Sequence, residues 1–301
     1  MSVAAASHTR EVLSGTDWNA RRTAHLDRVE VLIGAYLQRR SAGHEHPVLD
    51  FLFTYYSLKP SHLRRWHPGF GVALTGDGIE DYHGWAGYIE KVIDGTAAVT
   101  VSVDFLERRS AAVDFVSALT GRTATRPAQL GCFGLHEWAM VYRGGPEALR
   151  HDVPLRLGAE GTDAVVDSMP LRCTHYDAFR FFTPDAAPLN AIELTPEHRL
   201  LTEQPGCLHA SMDLYKWVSK LGPLLPSELL TDCFAMSVQA RELDMRASPY
   251  DLSDYGYSPV RIETPAGRAE YVRGQSAIAE VAAELRARIS ASVTQLARFA
   301  S

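Results

Sequence analysis

Residues 128–143 read AQLGCFGLHEWAMVYR, and this stretch carries the clearest structural signal in the chain. Apart from its last residue, only His136, Glu137 and the thiol of Cys132 can ionise near neutral pH, and nearly all other side chains are apolar, aromatic or small. This composition predicts a helix that begins after Pro127 and is buried on most sides. A buried imidazolium or carboxylate is costly unless it is paired or bound to metal. His136 and Glu137 are therefore expected to have buried partners.

Hydrophobic spacing on both sides of this stretch predicts further helices. Apolar residues at helical intervals indicate helices over residues 18–40, 107–120, 208–221, 227–246 and 275–299. Short β-branched or aromatic runs favour strands at residues 97–103, 153–157 and 171–182, with a hairpin at residues 260–273. The sequence thus predicts a mainly α (α+β) protein, a single helical domain over residues 1–301 with a small β element and a flexible tail at residues 1–15.

Composition narrows the class of protein. The 301 residues are 46% hydrophobic and 22% charged, which is typical of a globular domain. The net charge of −6 disfavours a nucleic-acid partner, because such proteins usually present a basic face. The start of the chain lacks the apolar run of a secretory signal, and no segment is apolar enough for a membrane span. The four cysteines lie in apolar stretches, so reduced thiols and a cytoplasmic location are expected.

Three histidines are the candidate metal ligands: His136, His175 and His209. Each has an acid or a thiol at a spacing that places both side chains together, as in Cys132/His136, His175/Asp177 and His209/Asp213. Two imidazoles and one carboxylate make the kind of site that holds non-haem Fe(II) and leaves positions open for substrate. We therefore expect a divalent transition metal, with iron favoured over zinc. The other interpretation is three separate core histidines, each satisfied by a local hydrogen bond.

These residues predict an enzyme with a buried His/carboxylate site that acts on a small molecule by redox or oxygen chemistry rather than by simple hydrolysis. Glu137 or Asp177 would supply the carboxylate, and a helical site could instead be completed by Asp213, Glu242 or Asp244. Further residues are expected around the substrate, with Arg180 holding a substrate carboxylate and three rings lining the pocket: Tyr176, Trp138 and Phe179. A non-catalytic ligand-binding protein would explain the aromatic residues, but not the buried His and Glu.

Four long runs carry a family resemblance: HPVLDFLFTYYSLKPSHLRRWHPGFGVAL at 46–74, LGCFGLHEWAMVYR at 130–143, CTHYDAFRFFTPDAAPLN at 173–190 and ASPYDL at 247–252. Together they resemble an actinobacterial family that is labelled 3-methyladenine DNA glycosylase. The resemblance implies an alternative function, the excision of alkylated bases such as 3-methyladenine from DNA.

Under this alternative, nucleic acid would be the partner, and a damaged base would be flipped into an aromatic pocket. The base would stack on three rings, Tyr55, Tyr56 and Trp66. Phosphates would be bound by Arg64 and Arg65, and Asp50 would stabilise the developing sugar cation.

Overall fold

Helices dominate the computed structural model, which describes residues 9–300 except residues 146, 148 and 150. The helices are α1 (Gly15–Ser41), α2 (Phe51–Thr54), α3 (Pro60–Arg64), α4 (Val103–Arg108), α5 (Ser110–Ala124), α6 (Leu135–Ala139), α7 (Gly158–Ser168), α8 (Tyr176–Phe179), α9 (Arg199–Thr202), α10 (Leu208–Leu221), α11 (Ser227–Arg246) and α12 (Pro265–Ala300). The strands are β1 (Glu11–Leu13), β2 (Val72–Thr75), β3 (Tyr88–Ile93) and β4 (Thr96–Val101). The prediction of a mainly α protein with a small β element is confirmed.

The core is built around the last three helices. Helix α10 packs against α11, and α12 packs against both of them and against α5. The reason lies in the sequence of α12, whose buried residues recur at intervals of three and four and so form one apolar stripe: Ile278, Ala282, Leu285, Ile289, Val293 and Leu296. The chain reverses between α10 and α11 at Gly222, which adopts a positive φ of 58°. The start of α10 therefore lies beside the end of α11.

The small sheet lies to one side of this core. Its strand order is β1-β2-β4-β3, with β1 parallel to β2 and the other neighbours antiparallel. A separate apolar cluster packs on it, with Trp18 stacked on Trp66 at 6.5 Å between ring centroids. The sheet contributes no member of the candidate metal groups described below.

Three local predictions are wrong. Residues 171–182 do not form a strand, because only Leu171 bridges to Asn190 and α8 then begins at Tyr176. Residues 260–273 do not form a hairpin, because α12 starts at Pro265, a residue that suits the first turn of a helix. The buried stretch at 128–143 is helical only over α6, because Phe133 and Gly134 take positive φ values of 50° and 73° and interrupt the backbone just before it.

Other boundaries are closer to expectation. Helices α10 and α11 have the predicted limits, and α1 covers the predicted residues 18–40. The helix expected at 107–120 is divided at Arg109 into α4 and α5. The strand expected at 153–157 is reduced to a single bridge between Leu155 and Tyr250. Residues 1–8 of the predicted flexible tail lie outside the described residues. Within residues 9–15 the chain forms strand β1, so this part of the tail is not the flexible segment that was predicted. Among the described residues, no helix is both long and apolar enough to cross a membrane.

Candidate metal centre

Two histidines and one aspartate meet where three helices come together. His136 lies in α6, His209 in the first turn of α10, and Asp244 near the end of α11. The antiparallel arrangement of α10 and α11 brings the last two residues to the same end of the core. One ligand atom from each residue lies within 4.8 Å of the others, and all three side chains are buried. The imidazoles of His136 and His209 are 4.5 Å apart between centroids and nearly perpendicular, at 80°.

The contact between His136 and Asp244 is close but is not aligned as a hydrogen bond. His136 Nε2 lies 2.9 Å from Asp244 Oδ1, and these side chains are 3% and 0% exposed. Even so, neither atom completes a hydrogen bond with any described residue. Two ligand atoms that each lie about 2.1 Å from one ion, at right angles, are about 3.0 Å apart. The observed separation fits a charge-assisted pair of the two side chains, and it also fits two neighbouring ligands of one cation.

Arg241 supplies a positive charge next to this group. Its Nη1 donates to Glu137 Oε1 at 2.9 Å and to Asp244 Oδ2 at 3.4 Å, and its guanidinium lies 4.0 Å from the centroid of Phe51. Because the arginine takes Oδ2, the other oxygen of Asp244 stays available on the side of His136. Oδ2 of Asp244 thus contacts Arg241, and Oδ1 contacts His136.

The protonation of the imidazoles follows from these neighbours. Burial lowers the pKa of His136, but Asp244 and Cys132 together raise it by more, so the pKa lies well above its ordinary value. Burial and the nearby charge of His136 put the pKa of His209 well below its ordinary value. In the metal-free protein at pH 7, His136 is therefore protonated and His209 is neutral.

His175 belongs to a second buried group with Glu203 and Asp213. Its Nδ1 lies 3.3 Å from Glu203 Oε1, and its Nε2 lies 3.7 Å from Asp213 Oδ2. The ring of His175 stacks on His209 at 5.5 Å between centroids. These three side chains could also hold a metal ion, since their ligand atoms lie within 4.8 Å of one another.

In this second group, the chain's own cations already contact the carboxylate oxygens that face His175. Lys216 Nζ donates to Asp213 Oδ2 at 3.0 Å and to Asp177 Oδ2 at 2.8 Å. Arg199 Nε lies 3.3 Å from Glu203 Oε1. A metal ion would be repelled by these two cations at a few ångströms. In the first group Arg241 contacts Asp244 through Oδ2 and not through Oδ1, the oxygen that faces His136, so the group of His136, His209 and Asp244 is the better metal site of the two.

Replacement of Lys216 by methionine tests the role of the cations in the second group. The substitution removes one cation from Asp213, which is 1% exposed, and from Asp177. A buried charge without a partner is costly. We expect the free energy of unfolding to fall by about 2–4 kcal/mol, as measured by urea denaturation. Lys220→Met is the matched control, because Lys220 is exposed and lies one turn further along α10. Its free energy of unfolding should change by less than about 0.5 kcal/mol. Equal effects of the two substitutions would contradict this assignment.

A cleft of about 560 Å³ leads to the first group. His209 reaches the cleft with only 6% of its surface exposed, and it forms no hydrogen bond with a described residue. Glu137 and Arg241 lie beside it in the lining, whereas His175, Glu203 and Asp213 do not contribute to it. The volume lies within the range of small-molecule sites. Of the first group only His209 lines the cleft, so a small molecule in the cleft would reach this group through His209.

The structure brings together the three histidines that the sequence singles out, although it divides them between two groups. Of the other predicted residues, Glu137 and Asp177 line the cleft. Tyr176 and Arg180 do not: Tyr176 is half-buried against the core, and Arg180 is exposed over the ring of Phe181.

The sequence predicted only some of the acids that contact the three histidines. Asp213 and Asp244 stand among the acids expected to complete a helical site, whereas Glu242 belongs to neither group. Glu203 was missed, because it lies in a charged segment whose sequence gives no sign of burial. Arg241 interrupts an apolar row of α11, and a charged residue in such a row is a signal of a buried ion pair.

The residues named for the glycosylase function do not form one pocket. Tyr55 lines the cleft, Tyr56 is half-buried and donates to Asp213 Oδ1 at 3.0 Å, and Trp66 packs in the separate cluster on the sheet. Arg64 pairs with Glu30, and Arg65 lies over the ring of Trp85.

Comparison with known proteins adds no assignment to this geometry. No protein-family model matches the chain, and neither a curated protein nor a solved structure matches it significantly.

Proposed function

We propose that this protein is a metal-dependent enzyme that acts on a small molecule bound in the cleft. His136 Nε2, Asp244 Oδ1 and one ring nitrogen of His209 would hold the ion. The observation that carries the proposal is the convergence of two buried imidazoles and one buried carboxylate, whose ligand atoms all lie within 4.8 Å of one another. Two imidazoles and one carboxylate at this separation are a donor set that binds a divalent transition metal.

Iron is the favoured ion, and zinc is the alternative. Two imidazoles and one carboxylate, with coordination positions left open, form the donor set of non-haem Fe(II) oxygenases, and the same donors also bind zinc. Iron would supply redox or oxygen chemistry, and zinc would supply Lewis-acid chemistry. Three ligands from the protein would leave coordination positions for a substrate, and His209 is the ligand that lines the cleft.

The residues around the ion would each have a distinct role. Arg241 holds the second oxygen of Asp244 and so fixes the direction of the first. Burial raises the pKa of Glu137, but Arg241, His136 and His151 together lower it by more, so the pKa lies below its ordinary value and favours the carboxylate at the cleft. A carboxylate in this position is able to accept a proton from a bound molecule. Cys132 Sγ lies 3.5 Å from His136 Nδ1 and helps to orient that ring.

Metal analysis of the protein tests the proposal directly. We expect about one transition-metal ion per chain after purification without added metal, and we expect iron to predominate. A chelator should remove it, and re-addition of Fe(II) without oxygen should raise the melting temperature by about 5 °C, since ligand at about 100 times Kd adds about 2.7 kcal/mol. A metal content near zero, with no thermal shift from Fe(II) or Zn(II), would refute the proposal.

Metal binding should also release a proton. At pH 7 the metal-free His136 is protonated because Asp244 raises its pKa, and the ion must displace that proton to reach Nε2. Affinity should therefore rise with pH, by about tenfold per unit below the pKa of His136 in the metal-free protein. Titration calorimetry in buffers of different ionisation enthalpy measures the number of protons released. A value of zero at pH 7 would contradict the assignment of Nε2 as a ligand.

A further inference from the structure

Most acids in the lining of the cleft already contact a cation of the chain. The lining contains five acids: Glu45, Asp50, Glu137, Asp152 and Asp177. Arg39 Nη2 lies 3.3 Å from Asp50 Oδ1, and Arg40 Nη1 lies 3.7 Å from Asp50 Oδ2. Arg40 Nη1 also lies 3.9 Å from Glu45 Oε1. Glu137 contacts Arg241, as described above.

Asp177 contacts two cations. Arg199 Nη2 lies 2.7 Å from its Oδ1, and Lys216 Nζ donates to its Oδ2 at 2.8 Å. Asp152 is the one acid of the lining that makes no ion pair within the described residues, and its side chain is exposed. A cationic ligand would therefore find no buried acid in the lining that lacks a cation.

The cations beside the cleft are occupied as well. Lys216 also contacts Asp213, and Arg199 also contacts Glu203. Arg241 is shared by Glu137 and Asp244, as described above. A charged ligand would have to break one of these ion pairs or stay without a partner, and a charge removed from water without a partner is costly. The pairing thus favours an uncharged ligand.

The histidines of the lining add no positive charge. His46 Nδ1 accepts from two backbone N–H groups, so this nitrogen carries no proton. Burial also lowers the pKa of His46. His151 Nε2 lies 3.5 Å from Arg241 Nη2 and accepts from it, because an arginine can only donate. His209 is neutral in the metal-free protein, for the reasons given above.

Three half-buried aromatic rings belong to the lining of the cleft: Phe51, Tyr55 and Phe181. Tyr55 stacks on Phe51 at 4.7 Å between centroids and 9° between ring planes, and Phe181 meets Tyr55 edge to face at 6.5 Å and 65°. The guanidinium of Arg241 lies 4.0 Å from the centroid of Phe51. Both faces of Phe51 are thus covered, so a ligand would meet the edge of this ring and the surfaces of the other two.

Buried apolar side chains continue this surface. Met140, Val153 and Ala178 line the same cleft and are 7%, 5% and 1% exposed. An apolar ligand gains affinity by covering such groups. Aromatic rings that pack offset or edge to face gain affinity beyond the area that they bury. The lining therefore favours an aromatic molecule over an aliphatic one of the same size.

We infer that the cleft takes an uncharged aromatic molecule, whose ring packs against Tyr55 and Phe181. This inference names the substrate class of the proposed enzyme and so rests on the proposed function, but binding of the ring itself does not require the metal. It replaces the expectation that Arg180, which does not line the cleft, holds a substrate carboxylate.

A panel of naphthalene compounds of matched size tests the inference: the neutral carboxamide, the anionic carboxylate and the cationic methylamine. The decalin carboxamide is the non-aromatic control. Affinity is measured by ligand-observed NMR and calorimetry, with metal-free protein as the decisive sample because a metal ion would itself attract the carboxylate. We expect the naphthalene carboxamide to bind at least about tenfold more tightly than either charged compound. It should bind about threefold to tenfold more tightly than the decalin carboxamide.

Substitutions in the aromatic wall test the position of the ring. Phe181→Leu keeps an apolar side chain but removes one ring, and it should weaken binding of the naphthalene carboxamide by about threefold to tenfold. Tyr55→Leu repeats the test at the neighbouring ring. Phe115→Leu is the matched control, because Phe115 is a half-buried residue of α5 outside the lining, and it should leave affinity unchanged. Thermal melting confirms the fold of each variant.

The possible outcomes separate the ligand class from the metal centre. Charged compounds that bind as tightly as the naphthalene carboxamide, a decalin carboxamide that binds equally well, or no detectable binding by any compound would overturn the inference. Equal losses in Phe181→Leu and Phe115→Leu would do the same. Binding of the naphthalene carboxamide to a protein that takes up no metal would refute the metal centre and leave the ligand class standing.

Discussion

His209→Ala is expected to abolish metal binding while the fold survives. The substitution removes one of three proposed ligands and breaks no hydrogen bond with a described residue, so the structural cost is confined to a small cavity. Loss of residues that only orient metal ligands usually weakens binding 10–100-fold, so loss of a ligand should exceed about 100-fold. Metal analysis after gel filtration gives the content, and circular dichroism with thermal melting reports the fold.

His175→Ala is the matched control for this prediction. It removes the same side chain at similar burial, and its ring stacks on His209, but it belongs to the group whose carboxylates are already paired with Lys216 and Arg199. Metal content should stay above about half of the wild-type value. If both variants lost the metal equally, the ion would lie between the two groups; if neither did, the proposed centre would be wrong.

Arg241→Met is expected to cause the largest loss of stability. Arg241 is 1% exposed and is the cation shared by Glu137 and Asp244, which are 5% and 0% exposed. Methionine fills much of the same space but leaves two buried carboxylates without this partner. Removal of one partner from a buried ion pair usually costs about 3–5 kcal/mol. Equilibrium unfolding in guanidinium chloride of the metal-free protein measures the change.

Two further variants separate charge from packing at Arg241. In the double variant Glu137→Gln with Arg241→Met, one buried charge is removed together with its partner, so part of the lost stability should return. Arg288→Met breaks an exposed pair with Asp232, and it should cost less than about 1 kcal/mol. A loss below about 1 kcal/mol for Arg241→Met would show that the carboxylates are protonated or solvated instead.

Two residues with a proposed chemical role lie in the short helix α6. Helix α6 has only five residues, yet it contributes His136 to the proposed ligands and Glu137 to the cleft. The next residue, Trp138, is buried and donates from Nε1 to the backbone oxygen of Ala247 at 2.8 Å, which ties α6 to the end of α11. Adjacent residues of a helix point about 100° apart, so one turn can face both the ion and the substrate.

The sequence by itself determined the long helices and the burial of the candidate site. Apolar residues at intervals of three and four define one face of a helix, and this local rule was sufficient for the limits of α10 and α11. A histidine and a glutamate within an apolar stretch must have partners, and the structure supplies Asp244 and Arg241 for them. The convergence of His136, His175 and His209 was predicted from the acids at helical or strand spacing near two of them.

Only the tertiary structure decided which acid serves which histidine. The predicted strand face of His175 and Asp177 does not exist, and Asp177 instead pairs with Lys216 and Arg199. Residue spacing defines the faces of one element, but distances between elements depend on how helices cross and where loops return. Glu203 reaches His175 from an irregular segment, and Asp244 contacts His136 from 108 positions away in the chain. The reversal at Gly222 brings Asp244 of α11 next to His209 of α10. Such contacts have no local pattern, so the division into two groups could be seen only in the fold.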